Sequence, residues 1–250
     1  MTCLSARGST LNLKFTFLLA WYYGIRTIAR GPSYIIAALS TPLALLFLVY
    51  VLSNGALVKY ALVGGFIAIV ASVALQSSGD AAFFRLQLRI QDLYVASSVS
   101  PSDYMIGLTL SYLMFSLPGI MLYGILGVIY HLFSPFAVAM LILVLALLVL
   151  ATSSISFIIS SSIKHIRNIW GIAGILSVLM TILPPTYYPY ESIKRVFLYL
   201  LSITPVTPAA VVAQYSFGLS PALPLELYIL IGETVIFFAM ARFLTRWREK

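Results

Sequence analysis

The stretch PFAVAMLILVLALLVLATSSISFIIS, residues 135–160, carries no charged side chain and does not alternate polar with apolar positions. A helix crosses the ~30 Å hydrocarbon of a bilayer with about 20 mainly apolar residues, so this run alone commits the chain to a membrane. Several more runs of the same kind follow from the sequence. Charged residues make up only 9% of the 250 residues and apolar residues 61%, against about 25% charged in soluble domains. Continuous apolar runs argue against a β-barrel, whose strands alternate. The sequence therefore predicts an all-α integral membrane protein, read as one domain over residues 1–250.

Six spans are expected: about 34–52, 60–78, 104–130, 135–160, 168–183 and 222–241. Residues 184–221 hold two short apolar pieces interrupted by Pro205 and Pro208, too short to cross singly. They are expected to form an external re-entrant helical hairpin, whose irregular backbone must be wet or buried in protein. With six spans, Arg7, Lys14, Arg26, Arg30, Arg85, Arg89, Lys164, Arg167, Arg242, Arg246, Arg248 and Lys250 fall on one side. Only Lys59, Lys194 and Arg195 fall on the other. This asymmetry puts both termini in the cytoplasm of a multi-pass cell-membrane protein. It also accounts for the net charge of +8 without a nucleic-acid partner. No cleavable signal peptide is expected, since the first apolar stretch carries Lys14, Arg26 and Arg30.

Residues 10–30 read as an amphipathic helix in the cytoplasmic interface. Asn12, Thr16, Tyr23, Arg26, Thr27 and Arg30 share one arc, and Phe17, Leu18, Trp21, Ile25 and Ile28 lie opposite. Tyr187, Tyr188 and Tyr190, like Trp21, Tyr22 and Tyr23, read as interfacial aromatic belts.

Between spans two and three the chain turns polar. A helix over 83–96 would place Phe83, Leu86, Ile90 and Leu93 on one stripe. Arg85, Arg89 and Asp92 would form the next stripe, with Arg89 and Asp92 able to pair. Leu88 then points away, among polar neighbours. Ser100-Pro101-Ser102-Asp103 reads as the start of span three: Ser100 as N-cap, Pro101 at the first position and Asp103 completing a box. A docking element for a partner and a plain solvated loop both fit such a segment.

The segments FFRLQLRIQDLYVASSVSPSDYMIG and ILPPTYYPYESIKRVFLYLLSITPVTPAA, with the interfacial N-terminal helix before them, resemble the permease subunits of ABC-2 type transporters. The resemblance covers nearly the whole chain. It implies a membrane-spanning transport subunit, tending towards export, that works with a separate ABC ATPase. It also implies two permease copies, identical or different, beside two ATPase copies. By that resemblance 83–96 is the coupling helix; its helical spacing would then turn Arg85, Leu88, Arg89, Gln91, Asp92 and Tyr94 towards the ATPase and pack Phe83, Leu86, Ile90 and Leu93 on the spans. The chain has no G-x-x-x-x-G-K-[ST] phosphate loop. No cofactor is expected on it, and ATP–Mg would bind the partner.

Two other classes remain open. An ion-coupled carrier or channel could use Glu233, an acid near the middle of span six, since intramembrane acids are costly and often functional. An intramembrane enzyme is less well supported, because neither His131 nor His165 sits near a nucleophile and no carboxylates have metal-ligand spacing. The serines of TSSISFIISSS, Ser153 and Ser156 among them, fit either helix packing or, with Glu233, the lining of a transport path. The single cysteine, Cys3, excludes an internal disulfide.

Overall fold

The computed structural model describes residues 12–97, 99–163 and 165–244. The side chains of Pro32, Tyr34, Ala38, Gln91, Asp92, Val95 and Ile166 are outside that description. The described chain is helical, without strands. Helix α1 (Leu13–Ala20) passes through a π-helical segment (Trp21–Ile25) into α2 (Arg26–Arg30). Gly31, extended, and Pro32 at the first helical position redirect the chain into α3 (Pro32–Leu52). Then come α4 (Val58–Leu86), α5 (Ile90–Ala96), α6 (Pro101–Ile129), α7 (Pro135–Ser162), α8 (Ile166–Ile182), α9 (Arg195–Leu201), α10 (Val206–Ser216) and α11 (Pro224–Leu244).

Five helices, α3, α4, α6, α7 and α11, are long and apolar enough to cross a bilayer. The fifth expected span is α8, shorter but apolar. At ~1.5 Å per residue, α4 and α6, each of 29 residues, reach ~43 Å and must project beyond the hydrocarbon. Helices α9 and α10 meet at a bend of 118°.

Helix α4 is the hub, packed on α3, α6, α7, α8 and α10. It is buried on nearly every side from Val58 to Ala82. Apolar burial alone does not drive helices together in lipid, so close packing of small residues must do so. Gly64 lies against the backbone of Thr186, where an added Cβ would fall 1.6 Å from the carbonyl oxygen. Gly65 receives the ring of Tyr123. Ser156 of α7 donates to the Ala74 carbonyl at 2.7 Å, so this serine serves helix packing. Ser153 is fully buried.

The contacts sort the molecule into two ends. One gathers α9, α10, the starts of α4, α7 and α11, and the end of α8. Gln214, buried in α10, fastens the loop there. Its Nε2 donates to the carbonyls of Pro185 at 2.6 Å and Tyr188 at 2.9 Å, and its Oε1 accepts from the Tyr190 amide at 3.2 Å. Tyr187 and Tyr190 are buried, and Tyr190 donates to the Pro221 carbonyl. These two rings fill the hairpin rather than forming a belt, because the loop folds back on α4 and α10. Glu226, buried at the start of α11, accepts from Ser202 at the end of α9. The opposite end gathers α1, α2, α5, the start of α6 and the ends of α4, α7 and α11.

The N-terminal helix differs in detail from its sequence pattern. Thr16, from the polar arc, is buried with Leu19, Ala20 and Gly24. The reason is a close crossing with α6, where Gly107 meets Leu19 and Thr16, and Gly24 meets Ser111 and Met114. Phe17, Leu18 and Trp21 stay exposed.

Candidate functional site

Two features at the α1/α5 end stand out: a short helix with exposed leucines, and a cavity with an acid in it.

The expected single helix over 83–96 is two helices. Helix α4 ends at Leu86, and the Leu88 amide reaches back to the Phe83 carbonyl. Arg89 takes a left-handed conformation, φ 50°, uncommon for a residue with a side chain. Helix α5 then starts afresh at Ile90. The break resets the helical register, so Phe83, Leu86, Ile90 and Leu93 do not form one stripe. Phe83 and Leu86 belong to the foot of α4. Leu93 is 69% exposed and Leu88 49%, which corrects the expected packing of Leu93. Arg89 is exposed beside them. The expected Arg89–Asp92 pair and the role of Gln91 fall on side chains outside the description.

Two residues expected to face a partner turn inward instead. Arg85 Nη2 donates to the carbonyls of Ser160 at 2.8 Å and Ile163 at 2.6 Å. It thus caps the C-terminal end of α7, where unpaired carbonyls and the helix dipole favour a cation. Tyr94 is packed edge-on against Phe15 of α1, with ring centroids 5.2 Å apart, and against Tyr104 of α6 at 5.5 Å. These rings hold α5 across the feet of α1 and α6.

At the start of α6, Ser100 Oγ accepts from the Asp103 amide at 3.1 Å, and Asp103 Oδ2 accepts from the Ser100 amide at 3.0 Å. Pro101 occupies the first turn. Asp103 Oδ1 also accepts from the Asn12 amide at 2.9 Å. The cap therefore fixes the start of α1 as well.

Beneath this platform lies a cavity of about 380 Å³ between the π segment, α2, α3, α4, α6 and α8. Its wall holds Asp80, Gln76 and Ser77 of α4 and five aromatic rings: Tyr23, Phe84, Tyr112, Phe115 and Trp170. Gly79 lets Trp170 approach α4. The π segment aims Tyr23 at the cavity, and such single-turn π segments are frequent at functional sites. Burial first, then neighbouring Tyr94 and Tyr22 and the charge of Asp80, push the Tyr23 hydroxyl up to about 12. A second cavity of about 150 Å³ shares Ala37 and Gln76 with the first. Its wall continues through Thr41, Ser72, Ser177 and Thr181 to Tyr187. Together they make a polar seam between α3, α4 and α8 that runs from one end of the molecule towards the other.

The candidate path of Ser153, Ser156 and Glu233 is not part of this seam. Ser153 and Ser156 are buried against neighbouring helices, and Glu233 lies on α11, which packs on α7 and α10. Glu233 Oε2 is buried without a hydrogen bond among the described residues. Sequence reasoning passed over Asp80, which sits in a Ser-Ser-Gly-Asp stretch near the end of a span. The missed signal was that the helix runs on to Leu86, past the expected end of the span at 78, and so takes this acid into the bundle.

No group of His, Cys, Asp and Glu able to hold a metal occurs among the described residues. Among the described residues, five helices long and apolar enough to cross a bilayer and a helix pair bent by 118° are those of a polytopic membrane protein. The sequence model of the ABC-2 type transporter family matches residues 16–217, and the chain belongs to that family. It is thus a membrane component of an ABC transporter, a permease part of a kind generally not catalytic itself. No curated protein matches the sequence.

Proposed function

We propose that this chain is the membrane subunit of an exporter driven by a separate ABC ATPase, with the 87–96 segment as the contact between them. The observation that carries this is the platform at the α1/α5 end. Helix α5 is clamped by Phe15 and Tyr104 while Leu88, Arg89 and Leu93 remain outside. A rigid clamp beneath exposed apolar side chains suits transmission of a partner's movement, and the family supplies an ATPase as that partner in general. This end also collects Lys14, Arg26, Arg30, Arg85, Arg89, Arg167 and Arg242, which supports placing it, and both termini, in the cytoplasm. ATP–Mg binds the partner chain. A second permease copy, identical or related, closes the exposed faces of α3 and α8, and the polar seam of α4 then lines the substrate route in place of Ser153, Ser156 and Glu233.

The test is affinity capture of the tagged permease from detergent after co-expression with a phosphate-loop ATPase from the neighbouring reading frame. Recovery of both chains in equal amounts, with ATP hydrolysis, is expected. Capture of the permease alone contradicts the reading.

A further inference from the structure

We infer that the Asp80 cavity is a binding site for an organic cation carrying apolar or aromatic groups. This inference rests on the transporter reading only for calling the ligand a substrate; the binding itself concerns this chain alone.

The cavity has the dimensions of a small-molecule site, which typically ranges over about 300–1,000 Å³. Its wall is mostly apolar, with a few polar groups converging, again as such sites are built. Among the described residues, the wall holds one carboxylate, that of Asp80, and no Lys, Arg or His. Among the described residues, none forms an ion pair or hydrogen bond with the Asp80 carboxylate. An intramembrane acid ordinarily pairs with a basic group, and the described part of the wall supplies none. Around it stand the rings of Tyr23, Phe84, Tyr112, Phe115 and Trp170. Aromatic faces carry negative potential and attract cations, most strongly where water is excluded, and cages of such rings recognise quaternary ammonium groups. Carboxylate and rings select the same charge. An anion would meet both as repulsive. A neutral apolar molecule would fit the rings but leave the carboxylate unpaired, which is costly in a site of low polarity.

The fold supports the site from three directions. Tyr23 arrives on the π segment, held against α6 by the contact of Gly24 with Ser111 and Met114. Tyr112 is fixed by its hydroxyl, which donates to the Ser77 carbonyl at 3.4 Å. Trp170 packs over Gly79, one residue from Asp80. Tyr23, Tyr112 and Trp170 are therefore held by contacts within the bundle rather than by a ligand. Because the cavity shares Gln76 with the second cavity, a cation held here stands at one end of the seam.

The experiment uses the full-length permease without any ATPase, in nanodiscs of uncharged phosphatidylcholine. The probe is 4-(4-dimethylaminostyryl)-N-methylpyridinium, a fluorescent aromatic cation, beside its uncharged pyridine parent. The cation is expected to bind saturably and more tightly than the parent. Asp80→Asn is expected to weaken the cation by about tenfold or more and leave the parent within about twofold, while Asp80→Glu retains cation binding. Phe115→Leu, which removes a ring but keeps apolar volume, is expected to weaken the cation by about fivefold. Glu191→Gln, at an exposed acid away from the cavity, serves as the charge control. Equal binding of cation and parent overturns the inference. So does cation binding unchanged in both Asp80→Asn and Phe115→Leu; if the Asn variant does not fold, the Phe115→Leu result decides alone. Co-purification with an ATPase is scored separately. A permease that captures its ATPase but ignores the cation keeps the transporter reading and loses this one, and the converse result does the reverse.

Discussion

The Asn12 amide donates to Asp103 Oδ1 at 2.9 Å across 91 positions of sequence. One buried carboxylate thus ends two structures at once: it completes the cap of α6 and anchors the start of the N-terminal helix. Asp103→Ala removes this bond and both bonds to Ser100. Loss of a cap costs about 0.5–2 kcal/mol, and here the N-terminal helix is released as well. The variant is expected to melt several degrees lower in detergent and to be cleaved by protease near residues 12–30, where the parent protein resists. An unchanged cleavage pattern would show that ring packing alone holds the helix.

The hairpin at the other end hangs on Gln214. Gln214→Leu keeps similar bulk but leaves the Pro185 and Tyr188 carbonyls and the Tyr190 amide without their partner. Each buried unsatisfied group costs about 1–3 kcal/mol. Hydrogen exchange of residues 184–221 should rise well above that of α4, and thermal stability should fall. Exchange confined to its original level would mean the loop is held by apolar contacts instead.

Gly64 and Gly124 make a matched pair. A Cβ at Gly64 meets the Thr186 backbone, while one at Gly124 meets nothing within 4 Å. Gly64→Ala is expected to abolish monodisperse protein in size-exclusion chromatography. Gly124→Ala should leave the elution profile unchanged, since alanine is the better helix former. Equal behaviour of the two would contradict the close α4–loop packing.

Glu233 provides a test between transport classes. Because it lies on α11 away from the polar seam, Glu233→Gln is expected to leave ATP hydrolysis by the reconstituted complex within about twofold. Assembly retained with hydrolysis lost would instead favour a role for its ionisation.

Much of this fold is written in short-range signals. The apolar runs mark the spans because length and composition alone decide what crosses a bilayer. Ser100 and Asp103 are three residues apart, so the start of α6 is closed within its own turn. The Asn54-Gly55 turn, with φ of 48° and 86°, likewise ends α3 locally. What could not be read depends on partners distant in sequence. The helical stripe through Phe83, Leu86, Ile90 and Leu93 assumes one continuous helix, and nothing in the residue types announces that Arg89 turns left-handed. Arg85 looks like a surface charge until α7 brings its terminal carbonyls alongside. Asp80 becomes a site only when Tyr23, 57 positions earlier, and Trp170, 90 positions later, close around it.

Orientation is testable with single cysteines in a Cys3→Ser background. Ser97 and Ser192 are both exposed, at opposite ends of the bundle. Ser97→Cys should react with a membrane-impermeant maleimide only in inverted vesicles, and Ser192→Cys only in intact cells. The reversed pattern would move the α5 platform outside and remove it from any cytoplasmic ATPase.

In the proposed function, the exposed Leu88 and Leu93 beside Arg89 seat the ATPase. The most direct measurement is ATPase recovered per permease in affinity capture, comparing the parent protein with Leu88→Asp and Leu93→Asp. Burying a leucine fully is worth about 1.5–3 kcal/mol, and an unpaired charge in its place costs more. Each variant should remain monodisperse and retain less than about a tenth of the bound ATPase. Full recovery of the ATPase with both variants would contradict the account.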